Sequence, residues 1–233
     1  MTRPAEQDTP FAAQGGYAAF IARDPAGPVP RRSQVYDAVK RLVDIGGALL
    51  GLLLILPLFP FLALLIKLDS PGPLLFKQKR VGEGGRLFDC YKFRSMVVDA
   101  EAQKDRLRHL NEASGAAFKI AHDPRITGVG RFIRRSSLDE FPQLLNVLKG
   151  DMSIVGPRPQ IPSEVSQYTP RQARRLLVKP GLTCLWQVSG RSSLDFEEWM
   201  ALDLEYVARR GLGFDIWVLT RTIPAVIERK GAY

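Results

Sequence analysis

One stretch constrains this chain before any other. From Ile45 to Ile66 no residue is charged and nearly all are apolar. About 20 such residues are enough to cross the hydrocarbon core of a bilayer as a helix. A core helix of a soluble domain would need a polar face to meet water, and this run has none. The segment therefore predicts membrane insertion. Pro57 and Pro60 fall near its middle, where each removes a backbone donor and crowds the preceding turn, so the helix should bend or break there. Basic residues flank both ends: Arg31, Arg32, Lys40 and Arg41 before, then Lys67, Lys77, Lys79 and Arg80 after. Positive flanks favour the cytoplasmic side, so both ends should lie on one face. A helix that enters, breaks at Pro57 and returns satisfies both facts, provided the freed carbonyls find internal partners. A simple span is the alternative.

The rest of the chain must be read with this anchor. At 233 residues, 45% hydrophobic and 24% charged, it supports one sizeable core. Residues 1–30 are rich in Ala, Gly, Pro and polar residues without a period, and read as a flexible leader. Residues 31–68 form the basic flank and membrane hairpin, and residues 69–233 a domain of soluble character. The formal net charge of +9 and the pI near 9.8 call for acidic partners: nucleic acid, an anionic lipid surface or a phosphate-bearing substrate. Cys90 and Cys184 lack metal-ligand spacing and read as reduced, small apolar residues.

Within the soluble part, residues 87–94 alternate like a strand. Residues 99–111 show helical spacing with Leu107 and Leu110 on the apolar side. Residues 141–149 predict a short helix ended by Gly150 at the position after the C-cap. Residues 197–209 predict a third helix with Trp199, Leu202 and Tyr206 at core spacing. Residues 215–228 predict a fourth, kinked or ended by Pro224. The fold class is α+β, helix-rich, around a small sheet.

The acidic pair Asp139–Glu140 lies in the segment SLDE (137–140), which has the form of a capping box, Ser followed three residues later by Glu. Such a pair can be purely structural, since acids in a first helical turn are favoured by the dipole. The same place is chemically useful. A carboxylate at a helix entry, aided by a divalent cation, can attack a phosphoryl group, and Arg134 would offset the repulsion between two anions. Adjacent carboxylates point about 100° apart on a helix and should take different roles. In the segment GPRP (156–159) two prolines fix φ on either side of Arg158, holding a guanidinium that suits phosphate. Lys92 and Arg94 project from one face of the expected strand. Arg191 follows a turn at Gly190. Taken singly, each of these cations reads rather as a solvated surface residue. Arg171, Arg174 and Arg175 beside Leu176 and Leu177 suggest an interfacial helix on anionic lipid. His109 and His122 are not spaced as ligands.

Taken together, residues 36–222 resemble the bacterial sugar transferases, the monotopic polyprenyl-phosphate phosphoglycosyl transferases. The resemblance rests on DSPGPLLFKQKRVG (69–82), YKFRSM (91–96), SLDEFPQLLNVLKGDMSIVGPRP (137–159), KPGLT (179–183) and QVSGR (187–191). It implies a re-entrant helix on the cytoplasmic face of the inner membrane, Mg²⁺ held at Asp139 and Glu140, and transfer in two steps. Asp139 would attack the β-phosphate of a UDP-sugar and expel UMP. Polyprenyl phosphate would then take the phosphosugar. Glu140 would assist as base or organiser, with Arg134, Arg158, Arg191, Lys92 and Arg94 toward phosphate or nucleotide, and Asp215 as a further functional acid. Cys184 stands where the family pattern leads one to expect glycine. Other readings remain: a scaffold that lost catalysis, or direct transfer with the carboxylates only holding metal. A nucleic-acid binder fits badly, because no recognised motif accompanies the basic charge. The sugar, the pathway and the oligomeric state, a homodimer included, stay open.

Overall fold

The structure is a computed structural model that describes residues 10, 11, 13, 16–24, 33–103, 105–112, 120, 122–190 and 194–227. Helices dominate, but the strands form two separate two-stranded ladders rather than one small sheet. β1 (Leu75–Val81) and β2 (Leu87–Phe93) make an antiparallel hairpin in which Leu75 faces Phe93 and Val81 faces Leu87. β3 (Ser153–Val155) and β4 (Gly181–Thr183) pair in parallel.

Part of the leader is docked, contrary to the expectation of a flexible segment. Phe11 is 1% exposed and packs with Val81, Val165, Tyr168 and Met200. Behind it, α1 (Tyr17–Ile21) is tied down where Tyr17 donates to the Ala173 carbonyl at 3.1 Å. The leader's small and polar residues showed no period, and an aromatic cluster of Phe11, Tyr17 and Phe20 seats its described part.

The apolar run begins in α2 (Gln34–Ile55), which Ser33 caps by accepting from the Tyr36 amide. A 3₁₀ turn over Leu56–Leu58 interrupts it, and α3 (Phe59–Asp69) follows. Pro57 and Pro60 fall at these junctions, yet Ile55, Leu56, Leu58 and Phe59 all keep right-handed helical backbone, so the chain stays helical from Gln34 to Asp69. Both arms touch the domain. Ala48 packs with Leu144 and Val147, while Ile55, Leu62 and Ile66 share a cluster with Phe93 and Ile133. The helix lies close to the domain here: a Cβ at Gly47 would lie 2.4 Å from the terminal methyl of Ile154, and one at Gly51 2.7 Å from a methyl of Leu144, so either side chain would have to turn aside. The opposite side of this helix exposes Leu49, Leu50, Leu53, Leu54, Phe61 and Leu64. The helix from Gln34 to Asp69 is long and apolar enough to cross a membrane.

Residues 99–111 do not form one helix. A single turn, α4 (Ala100–Gln103), is followed by a 3₁₀ stretch over Asp105–Leu110. Leu110 is left exposed, so little tertiary packing supports a longer helix. Next come α5 (Gly128–Arg135) and α6 (Gln143–Lys149), the latter ended by Gly150 at φ 87° as expected. Short helices α7 (Pro162–Val165), α8 (Pro170–Ala173) and α9 (Leu185–Ser189) lead to α10 (Phe196–Arg209) and α11 (Leu212–Ile227). α11 continues through Pro224 instead of ending there.

The basic segment after α8 is not an interfacial helix. Arg175 and Leu176 are buried, and Arg175 forms an ion pair with Asp203 at 2.5 Å. Spacing alone could not show that one of three arginines points inward. The exposed apolar face belongs instead to α11, through Leu212, Ile216, Trp217 and Ile223.

Candidate active site

The acidic pair is presented by an unusual turn. Ser137 adopts φ 56°, ψ 15°, and no other non-glycine residue among those described has positive φ. Residues held in this left-handed region cost energy and mark places where the fold dictates the backbone. The turn ends α5 and starts a 3₁₀ segment, Leu138–Glu140, before α6 begins after Pro142. Ser137 makes no side-chain cap, so the capping box expected from the sequence is absent. The physical reason is Pro142. A regular helix from Leu138 onward would need a donor at position 142 for the Leu138 carbonyl, and proline has none, so the chain kinks and α6 starts later.

The two carboxylates face different surroundings. Asp139 is 6% exposed and lines a cavity of about 240 Å³ together with Arg80, Lys92, Arg134, Phe93 and Glu101. Among the described residues no hydrogen bond or ion pair fixes its oxygens. Burial, and then the negative charge of Glu140, push its carboxyl up to about 6, against the pull of Lys92, Arg134 and Arg158. Glu140 borders a second, mainly apolar cavity of about 510 Å³, walled by Gly47, Gly51, Leu144, Ile154, Leu219 and Ile223. Its carboxylate is clamped: Arg158 reaches both oxygens, with Nη1 donating to Oε2 at 3.1 Å and Nη2 to Oε1, and Lys92 donates to Oε1 at 3.1 Å. Burial alone would raise its pKa, but Arg158 and Lys92 outweigh that and hold it well below the usual carboxylate range.

Lys92 and Arg158 are thus brought to Glu140, and Arg134 to the cavity of Asp139. Arg134 lines that cavity with no hydrogen bond to a described residue. Two residues read as ligands are fastened to the protein, although Arg94 also lines the cavity of Asp139. The Arg94 guanidinium donates to the carbonyls of Ile66, Ser70 and Pro71 and so caps the end of α3; its terminal nitrogens are taken by these carbonyls rather than offered to phosphate. Asp215 accepts from Tyr36 at 2.9 Å, Lys40 at 2.8 Å and Tyr206 at 2.7 Å, which makes it a joint between α2, α10 and α11. Arg191 lies outside the described residues. Glu140 also fits poorly as a metal ligand, since cations hold both its oxygens. Asp139 fits: Mg²⁺ commonly takes one or two carboxylates and fills its shell with phosphate oxygens and waters. No group of three or more metal-binding side chains occurs among the described residues.

Comparison with known proteins bears on this arrangement. The family model described as "Bacterial sugar transferase" matches residues 35–229. The chain belongs to the bacterial sugar transferase family. "Galactosyl transferase CpsE" of Streptococcus agalactiae serotype III (strain NEM316) is 49% identical over 195 residues, which are 83% of this chain and 43% of that protein. "Exopolysaccharide production protein ExoY" of Rhizobium meliloti (strain 1021) is 38% identical over 198 residues, 83% of this chain and 88% of the other. "UDP-glucose:undecaprenyl-phosphate glucose-1-phosphate transferase" of Caulobacter vibrioides (strain ATCC 19089 / CIP 103742 / CB 15) is 40% identical over 218 residues, 90% of this chain and 76% of the other. The chain therefore spans less than half of CpsE, though most of ExoY.

Several residues of this bacterial sugar transferase support the site without having been singled out in the sequence. Asn146 is fully buried in α6. It accepts from the Tyr91 amide at 3.0 Å and donates to the Asp89 carbonyl at 2.7 Å, riveting α6 to β2 behind the acidic pair. Asp44, buried on α2, accepts from Ser153 Oγ at 2.9 Å and the Ile154 amide at 2.8 Å. Arg41 donates to the last carbonyls of α6, Val147 and Leu148, at 2.6 and 2.7 Å. A lone Asn amid Leu144, Leu145, Val147 and Leu148 was the available signal for the first of these.

Proposed function

We propose that this chain transfers a sugar 1-phosphate from a UDP-sugar to polyprenyl phosphate, of the undecaprenyl type, and releases UMP. The observation that carries the reading is the division of the acidic pair: a buried Asp139 with no fixed partner in a cation-lined cavity, beside a Glu140 locked by two cations. A nucleophile needs an oxygen free to attack, and Asp139 has one. Arg134, and Lys92 beside Glu140, supply positive charge for a pyrophosphate in the same cavity. The Asp139 carboxylate forms a bond to the β-phosphorus while the bond to the bridging oxygen breaks, and UMP leaves with that oxygen. The resulting acyl phosphate is then attacked at phosphorus by an oxygen of polyprenyl phosphate, which regenerates the carboxylate. Asp139 would hold Mg²⁺ together with donor phosphates, and the cation would neutralise charge on the departing UMP. Glu140 keeps Arg158 and Lys92 aligned at the edge of the apolar cavity, where the acceptor phosphate would arrive with its isoprenoid chain among Leu144, Leu219 and Ile223.

Packing of both parts of the apolar helix, Ala48 and then Ile55, Leu62 and Ile66, on one domain, together with the basic flanks, supports a re-entrant anchor in the inner membrane with the domain on the cytoplasmic side. The exposed face of α11 would rest on anionic lipid headgroups. The relatives' names include a galactosyl transferase and a glucose-1-phosphate transferase, so both donors belong in the first assay. The name of ExoY suggests exopolysaccharide synthesis as the process served. The test is UMP release from UDP-galactose, UDP-glucose and N-acetylated UDP-sugars with undecaprenyl phosphate and Mg²⁺. Acceptor-dependent release lost in Asp139→Asn supports the reading. Release that survives in Asp139→Asn overturns it.

A further inference from the structure

Arg158 lies between two prolines, and this creates a mechanical problem. Neither Pro157 nor Pro159 has an N–H, so the loop cannot anchor itself through donors at those positions. It can be held through its carbonyls, and all three are taken. The Pro157 carbonyl accepts from the Gly181 amide at 2.9 Å. The Arg158 carbonyl accepts from Arg175 Nη2 at 2.6 Å. The Pro159 carbonyl accepts from Arg80 Nη1 at 2.9 Å, while Arg80 Nη2 donates to Gln78 Oε1 at 2.6 Å.

Arg175 is the expensive member of this set. It is 2% exposed, paired with Asp203 at 1% exposure, and also donates to Tyr168 Oη at 2.7 Å. Arg175 Nε and one oxygen of Asp203 are buried without a hydrogen bond. A buried ion pair of this kind often stabilises no better than apolar residues of similar volume. Stability alone therefore does not account for it, whereas the donor it delivers to the Arg158 carbonyl does something no apolar residue can.

We propose that Arg175, oriented by Asp203 and Tyr168, is a positioning residue that fixes the Arg158 backbone so that its guanidinium meets Glu140 in the acidic pair. The proposal rests on the transferase reading for its kinetic consequence, but its structural consequence can be measured without turnover.

The test uses the full-length protein in lipid nanodiscs. Arg175→Met/Asp203→Leu removes both charges together and leaves no buried ion unpaired. Three readouts follow: the melting temperature, hydrogen exchange of peptides covering residues 156–161, and kcat and KM for UMP release from UDP-galactose and UDP-glucose. The folded double variant is expected to melt close to the wild type while the loop amides exchange about tenfold faster, the worth of one lost hydrogen bond. Its kcat should fall on the order of 10- to 100-fold, with the donor KM changed less than about threefold, because Lys92 and Arg134 remain. Tyr168→Phe, which removes no charge, should shift loop exchange and kcat in the same directions by about threefold. It decides the matter if the double variant does not fold. Wild-type exchange and wild-type kcat in a folded variant would overturn the proposal. Failure of the wild type to release UMP would instead count against the transferase reading, with loop exchange still deciding the role of Arg175.

Discussion

Asp139 is 6% exposed, and at neutral pH its ionised carboxylate is buried beside that of Glu140. Its pKa is raised from the ordinary carboxylate value to about 6. A group shifted upward in this way opposes folding as it ionises, so its stability contribution falls as pH rises from about 4 to about 6. Asp139→Asn should therefore melt above the wild type at pH 7, by an amount on the order of 1–3 kcal/mol, while losing activity. Thermal denaturation of the metal-free proteins checks this; an equal or lower stability of the variant would contradict it. Glu140 behaves oppositely. Its depressed pKa contributes stability above the ordinary glutamate value that is lost as pH falls toward its folded pKa. Glu140→Gln should also lower the Asp139 titration midpoint, read by carboxyl carbon NMR, because a repelling charge is gone. These two residues and Arg158 were legible in the sequence because they lie in one contiguous block. Their division of labour was not. It depends on Lys92, 48 residues before Glu140 along the chain and contributed by β2.

At the scale of elements, charges that read as ligands prove to be fastenings. Arg94 closes α3 through three carbonyls, and Asp215 ties α2 to α10 and α11. Sequence shows that a charge is present but not which partner takes it, and a buried carbonyl leaves no mark in a side-chain pattern. Arg94→Met should cost about 2–4 kcal/mol, since the end of α3 loses its donors, with little change in the donor KM of the remaining folded enzyme. A large rise in KM with unchanged stability would restore Arg94 as a phosphate ligand. Asn146→Ala should cost a similar amount, because the Tyr91 amide and the Asp89 carbonyl lose their partner behind the acidic pair. Helices 143–149 and 196–209 were readable because their apolar spacing matches what they bury. The 99–111 segment was misread because spacing without a packing partner does not sustain a helix.

Across the whole molecule, the apolar helix from Gln34 to Asp69 is a candidate membrane anchor and, through Gly47 and Gly51, also a wall of the apolar cavity. Gly47 and Gly51 lie against Ile154 and Leu144, and the opposite side of the helix carries exposed leucines. Cysteines placed near residues 33 and 227 in intact cells should label from the same side of the membrane. Labelling from opposite sides would replace the re-entrant anchor with a span. The apolar run and its 3₁₀ interruption at the prolines were evident in the sequence, whereas the docking of Phe11 was not, since one buried aromatic in a polar leader has no periodicity to reveal it. The central claim is that Asp139 becomes covalently bonded to a phosphosugar, and trapping that species tests it most directly. The protein would be incubated with Mg²⁺ and a UDP-sugar labelled in the β-phosphate, without acceptor, then digested and mapped by mass spectrometry. The account predicts one labelled peptide bearing phosphosugar on Asp139, absent in Asp139→Asn and discharged by undecaprenyl phosphate. Acceptor-dependent UMP release with no labelled protein at any time would contradict it and leave direct transfer in its place.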